Sequence, residues 1–290
     1  MFALLLAFTL GYHAIDLDTG RTMSMNAEQR FPMGSVFKFP LAIEVLHRVD
    51  EKKLDLEHVY TIEVSDFSPG WSPIRDNAHG QPVVLPLREV IRYDLAESDN
   101  TAADYLLKLI GGPQNVHTPP GIRIDRSEKQ MAADLHQPGG RERYAIDPRD
   151  TSTPKAMAEL LRMFYEKREG LSPASHDFAM KAMLETKTGP KRIISVLPKG
   201  ATLAHKTGTM PGTFNDVGII TSPDGKHHIA LAIFVKESKS EKDEQVIAKT
   251  AEKVYRALTA RVIPSVVEEP GRVGTRGAPP HTRVPRLRSG

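Results

Sequence analysis

Ser35 and Lys38 stand three positions apart in Phe31-Pro-Met-Gly-Ser-Val-Phe-Lys38. Apolar residues at Phe37, Leu41, Val45, Leu46 and Val49 predict a helix over 36–49. One helical turn then puts both side chains on one face. A serine so placed is activated by a neutral amine or by a relay through it, and a helix N-terminus favours negative charge beside it. Ser-x-x-Lys is a weak signal alone, and Ser152-Thr-Pro-Lys155 repeats it. There Ser152 reads as part of an N-cap region and Pro154 as a first-turn proline. Two further triplets add to the first. Ser98-Asp-Asn100 falls in a short link between two helical stretches, and Lys206-Thr-Gly208 falls on a strand. Lys187-Thr-Gly189 repeats the latter, but Pro190 follows it, which reads as a helix end with its glycine stop. Only the second copy lies on a strand whose backbone could pair with an extended substrate.

The elements that must position these residues follow from periodicity. Tyr12–Leu17 alternates weakly and ends at Asp18-Thr-Gly20, predicting a strand and hairpin. Helical stretches are predicted at 87–93 and 101–110, the second stopped by Gly111-Gly112-Pro113. Residues 113–150 are polar, rich in Pro and Gly, and show no period; a loop of that length inside a domain is usually functional. Helices follow at 154–167 and about 173–187, then strands near 202–206, 215–222 and 229–236. An amphipathic helix over 242–258 turns Val246, Ile247, Ala251, Val254, Tyr255 and Leu258 inward. The expected architecture is a mixed α/β lobe built from both ends, about residues 11–260, with an all-helical lobe inserted over about 50–190 and an active site between them.

Composition excludes several classes. The 290 residues contain no cysteine, so a disulfide framework, a zinc finger, an iron–sulfur site and a cysteine nucleophile are out. There is no His-Glu-x-x-His, and His227 and His228 are adjacent on a strand and point to opposite faces. No phosphate-binding glycine motif occurs in the body, so no cofactor is expected. The net charge of +3 divides into +4 for residues 261–290 and −1 for the rest. That tail carries six Arg and is rich in Pro and Gly, which reads as a disordered appendage and not as a nucleic-acid interface of the whole protein. The apolar run Met1–Leu10 is too short for a membrane span and reads as a truncated export signal or as an element that packs on the body. No other run is long enough for a membrane helix.

The ordered set Ser-x-x-Lys, Ser-Asp-Asn and Lys-Thr-Gly is specific in combination. With Arg149-Asp-Thr-Ser-Thr-Pro154 and Ala204-His-Lys-Thr-Gly-Thr209, and Asn215-Asp216 beyond, the chain resembles the class A serine β-lactamases, nearest their extended-spectrum branch, from about Gly11 to Leu258. The resemblance implies an α/β fold with an antiparallel sheet, and a periplasmic or secreted monomer whose partner is a small-molecule β-lactam. It implies Ser35 as nucleophile, Lys38 as acceptor or relay of its proton, and Ser98 as proton donor to the departing ring nitrogen. Asn100 would hold the substrate's side-chain amide, and Lys206, Thr207 and Gly208 would line the carboxylate site with Arg192 as a second cation. The N–H groups of Ser35 and Thr209 would form an oxyanion hole, and Trp71 would stand at the cleft mouth. Arg126-Ser-Glu128 matches the family's loop glutamate, making Glu128 the base for deacylation. A penicillin-binding protein or β-lactam sensor that stays acylated is the alternative.

Departures from the family concentrate near Glu128. Ala132 stands where the family usually has an Asn that helps hold the hydrolytic water. Residues 114–124 are shorter than the family norm, with Pro119-Pro120 against a helix there, and 133–148 are longer. The longer part is expected either to widen the cleft for bulky substrates or to loosen Glu128.

Overall fold

The computed structural model describes residues 8–260, so the basic tail 261–290 and most of the apolar N-terminal run lie outside the described residues. The first elements are β1 (Thr9–Asp16), β2 (Thr22–Met25), β3 (Phe31–Pro32) and α1 (Lys38–Asp50). Next come β4 (Val59–Ile62), α2 (Pro73–Ala78), β5 (Val83–Pro86), α3 (Leu87–Ala96) and α4 (Asn100–Ile110). The long loop region holds α5 (Glu128–His136) and α6 (Gly140–Tyr144), followed by β6 (Thr151–Ser152), α7 (Pro154–Tyr165) and α8 (Pro173–Leu184). The chain closes with β7 (Thr202–Met210), β8 (Thr213–Thr221), β9 (His228–Lys236) and α9 (Gln245–Thr259).

The main sheet has the order β2-β1-β9-β8-β7 and is antiparallel throughout, so strands from both ends of the chain meet at β1 and β9. Thr9 and Leu10 already pair with Lys236 and Val235, so the end of the apolar run is sheet, and the body begins two residues earlier than expected. Strand β9 reads as an unbroken apolar run because both of its faces are covered. Ala230, Ala232 and Phe234 join the core shared with the helices, whereas Ile229, Leu231, Ile233 and Val235 face α9. From α9, Ile247, Ala251, Val254 and Leu258 complete that second layer, with Val246 and Tyr255 partly buried beside them. Each large aliphatic side chain so buried contributes about 1.5–3 kcal/mol.

On the other face α7 packs on β1 and β9, and α1, α3, α4 and α8 pack on one another. Ile15 and Phe234 of the sheet belong to the same apolar cluster as Leu46 of α1, Leu95 of α3 and Leu106 of α4. The helical region therefore has no separate core; it is continuous with the sheet.

One expectation changes, and some short elements are new. Residues 113–150 are not a plain loop, because α5 and α6 lie within them. Only Glu128 and Met131 of α5 are buried, which leaves no period to read; the helix is instead started by a capping box of Ser127 and Gln130. The short pairs β3–β6 and β4–β5 and helix α2 carried no signal of their own.

Candidate active site

The turn that carries Ser35 is pinned from several sides. Phe31 and Pro32 pair with Ser152 and Thr151, and Phe31, Met33, Val36 and Phe37 are buried. Gly34 takes the left-handed φ of +49°, after which Gly34–Phe37 form a 3-10 turn that runs into α1. Ser35 and Lys38 thus lie where a 3-10 turn becomes an α-helix. Asn215 of β8 ties this turn to the sheet, its Nδ2 donating to the carbonyls of Pro32 and Met33 at 2.9 and 2.8 Å.

Lys38 is fully buried, and its Nζ donates to the Ser98 carbonyl (2.8 Å) and to Asn100 Oδ1 (2.7 Å) and lies 3.1 Å from Glu128 Oε1. Ser35 Oγ donates to the same carboxylate oxygen at 3.4 Å. Ser98 has a φ of +58°, unusual for a residue with a Cβ. Two lysines hold it there: Lys38 on its carbonyl and Lys206, whose Nζ is 2.7 Å from its Oγ. The following Asp99 caps α4 through Ala102 N–H and also accepts from Ile74 N–H and Ser72 Oγ, fixing the link to α2.

Lys206, Thr207, Gly208 and Thr209 lie on β7. Thr207 and Thr209 share one face of the strand, Lys206 and Gly208 the other. Gly208 has no alternative residue: a Cβ there would sit 2.3 Å from the Met33 carbonyl oxygen and 3.3 Å from Ser35 N. The missing side chain is what lets β7 run against the Ser35 turn. Burial, reinforced by the Lys38 cation, pushes the Lys206 ammonium down to about 7, against the pull of Asp94, Glu128 and Asp216.

Glu128 is the first residue of α5 and nearly buried. Asp104 of α4 accepts from the N–H groups of Glu128 (2.6 Å) and Lys129 (3.0 Å) and from Ser68 Oγ (2.7 Å), anchoring the N-terminus of α5. The neck of the segment is closed by Arg126, whose guanidinium meets Asp150 and Asp134 at 2.6 Å and Asp147 at 3.2 Å. Asp150, at φ +49°, also accepts from the N–H groups of Asp125 and Arg126.

These parts enclose a cleft of about 470 Å³ with Ser35, Ser98, Asn100, Glu128, Thr207 and Thr209 in its wall. Trp71 is 61% exposed at the rim, with Nε1 donating to the Glu97 carbonyl, so it is a mouth residue and no part of the core. Two expectations need correction. Arg192 does not present its cation to the cleft: its donors go to the carbonyls of Gly208 and Asn215, to Thr209 Oγ1 (2.6 Å) and to the Glu244 carboxylate (3.3 Å). Lys187-Thr188-Gly189, read as a mere helix end, lines the cleft, and Thr188 Oγ1 is 2.5 Å from Thr207 Oγ1. Its sequence signal was present, but its neighbour across the fold was not visible.

Asp104, Asn215 and Arg126 are positioning residues that periodicity did not mark. Asp94 of α3 is another buried group: both carboxylate oxygens lack a hydrogen-bond partner among the described residues. Burial pushes its carboxyl up to about 8, opposed by the cations of Lys38 and Lys206.

Known proteins resemble this chain in sequence and in fold. The model of the beta-lactamase enzyme family matches residues 4–258. The extended-spectrum beta-lactamase PER-1 of Pseudomonas aeruginosa is 35% identical over 262 residues, 85% of this chain and 82% of that protein. Beta-lactamase VEB-1 of the same organism is 37% identical, with 79% of each chain covered. Among solved structures, a beta-lactamase from Chitinophaga pinensis DSM 2588 superposes with a TM-score of 0.76 at 37% identity, covering 86% of this chain and 93% of its own. The TLA-3 extended-spectrum beta-lactamase superposes with a TM-score of 0.79 at 31% identity, covering 89% and 95%. A serine, two lysines and a glutamate brought together in this way, in a chain matched from end to end of its described body, place the protein in the class A branch of the beta-lactamase enzyme family.

Proposed function

We propose that this protein hydrolyses β-lactams through an acyl-serine intermediate formed on Ser35 and cleared by a water that Glu128 activates. The observation that carries the reading is the meeting of Ser35 Oγ and Lys38 Nζ on one Glu128 oxygen, at 3.4 and 3.1 Å. Ser35 Oγ attacks the lactam carbonyl as its proton passes to Glu128, with Lys38 completing the relay. The oxyanion develops between the N–H groups of Ser35 and Thr209, a spacing that Gly208 makes possible. The C–N bond then breaks, and the nitrogen takes the Ser98 hydroxyl proton, which Lys206 replaces across 2.7 Å. Before the second half Glu128 returns the Ser35 proton to Lys38, whose own proton has moved on to restore the Lys206–Ser98 pair. The carboxylate then takes a proton from water as its oxygen adds to the acyl carbon, and gives that proton to Ser35 Oγ as the ester C–O bond breaks.

Substrate binding follows from the same wall. Asn100 is held by Lys38 and by the Pro69 carbonyl, which orients its amide toward an acyl side chain. Arg192 donates to Thr209 Oγ1, leaving that hydroxyl's own proton for the substrate carboxylate, with Thr207 and Thr188 beside it. The cations of Lys206 and Arg192 act from behind this row of hydroxyls. The reading includes a monomer, periplasmic or secreted, with no nucleic-acid or membrane partner; among the described residues no helix is long and apolar enough to cross a membrane.

Nitrocefin turnover tests it. Turnover should fall about 10³-fold or more in Ser35→Ala. Equal rates in the two proteins would remove Ser35 from the chemistry.

A further inference from the structure

Beside the main cleft lies a second pocket of about 220 Å³ that shares Gly70, Asn100, Glu128 and Met210 with it. Its volume equals that of about seven waters at roughly 30 Å³ each, enough for a branched substituent. Pro69, Ala132, Leu135, Met210 and Pro211 make it mainly apolar. The small side chain of Ala132 leaves this space open beside Glu128.

Three lining groups carry or can carry charge: Glu128, His136 and Arg141. Glu128 is paired with Lys38. His136 places Nδ1 2.6 Å from the Ala132 carbonyl, closing one side of its ring. Arg141, the second residue of α6, is exposed and has no hydrogen bond or ion pair among the described residues. Its neighbours differ. Arg123 is paired with Asp125, Arg126 with Asp150, and Arg149 with Asp147, while Arg143 donates to the Pro138 carbonyl. The one uncompensated charge on an otherwise apolar pocket is therefore positive, and low-polarity walls strengthen its field on whatever enters.

On the hydrolase reading the acyl side chain runs past Asn100 into this pocket, and we propose that Arg141 selects among such side chains for those ending in an anion, a carboxylate beyond an apolar stretch. The assignment rests on the β-lactam reading, because it is Asn100, shared by both cavities, that directs the side chain past Glu128 into the pocket. A neutral side chain fills the same apolar walls but gains nothing from Arg141.

The test uses a matched pair on one cephalosporin nucleus: an oxyimino side chain ending in a carboxylate and its methyl ester. The ratio of their kcat/KM values, or of their acylation rates by intact mass, is measured for the full chain, Arg141→Lys, Arg141→Gln and Arg141→Glu. The native protein should favour the acid by about fivefold, the effect of a partly exposed ion pair of about 1 kcal/mol. Arg141→Lys should keep most of that preference, Arg141→Gln should lose it, and Arg141→Glu should reverse it; added salt should shrink it. A ratio that is the same in the native protein and Arg141→Glu, with both compounds still acylating Ser35, overturns the assignment of Arg141 and leaves the hydrolase reading standing. Failure of both compounds to acylate Ser35 overturns the two together.

Discussion

Lys206 shows how burial sets a residue's role. Its ammonium, pushed down to about 7, is a cation below that pH and a neutral amine above it. The free protein should therefore lose carboxylate attraction as pH rises through about 7, and kcat/KM should fall there. Lys206→Arg keeps its charge over this range, so its profile should lack that limb; an unchanged limb would assign it to another group. Asp94 behaves in the opposite sense. Its carboxyl, raised from the ordinary 3.8 to about 8, keeps a proton in the folded protein that the unfolded chain has released above about pH 4. Folding is then favoured at low pH and loses stability as pH rises toward 8. The Tm of Asp94→Asn relative to the native protein should climb between pH 5 and pH 8, by about 2–4 °C for each kcal/mol recovered. A flat difference would contradict the buried neutral carboxyl. The placing of Ser35 and Lys38 on one helical turn was legible at this scale from their spacing, whereas the roles of Ser98, Asn100 and Glu128 came from the family resemblance and not from spacing. Arg192 was named as a second cation, but its partners were not legible: Gly208, Thr209 and Asn215 are 16 or more positions away and only the folded sheet brings them to it.

At the level of elements, the site depends on how closely β7 approaches the turn before α1 and on how α5 is hung from α4. Gly208→Ala places a Cβ against the Met33 carbonyl and forces strand and turn apart. Acylation of Ser35 should drop about 100-fold in a protein whose circular dichroism is retained, because displacements of about 1 Å cost that much. Asp104→Ala removes the acceptor for two N–H groups at the start of α5, at a cost of about 1–2 kcal/mol. Glu128 sits on that turn, so clearance of the acyl-enzyme should slow more than its formation; stopped-flow traces with one penicillin would separate the two. The main strands were readable as apolar runs bounded by turn residues, and the long helices from period 3.6. Helix α5 was not, because most of it faces solvent and it is held by caps and by Asp104 instead of an apolar stripe.

Among the described residues one apolar cluster runs from sheet to helices and a second lies between the sheet and α9, and β9 contributes to both, which predicts a single unfolding transition. Trp71, the only tryptophan, reports from the exposed cleft mouth, whereas far-ultraviolet circular dichroism reports all elements. The two urea curves should superimpose, and a fluorescence midpoint well below the dichroism midpoint would mean that the helical part opens alone. The charge of +3 says little at this scale: the body is near neutral, and the excess sits in 261–290, outside the described residues. What the assembled molecule does is cycle through a covalent state, and its own mass records that state. Time-resolved intact mass after mixing with a penicillin should show one adduct that clears quickly from the native protein, accumulates in Glu128→Gln with clearance slowed about 10²-fold or more, and never forms in Ser35→Ala. Equal clearance in the native protein and Glu128→Gln, or an adduct on Ser35→Ala, would contradict the Ser35–Glu128 cycle.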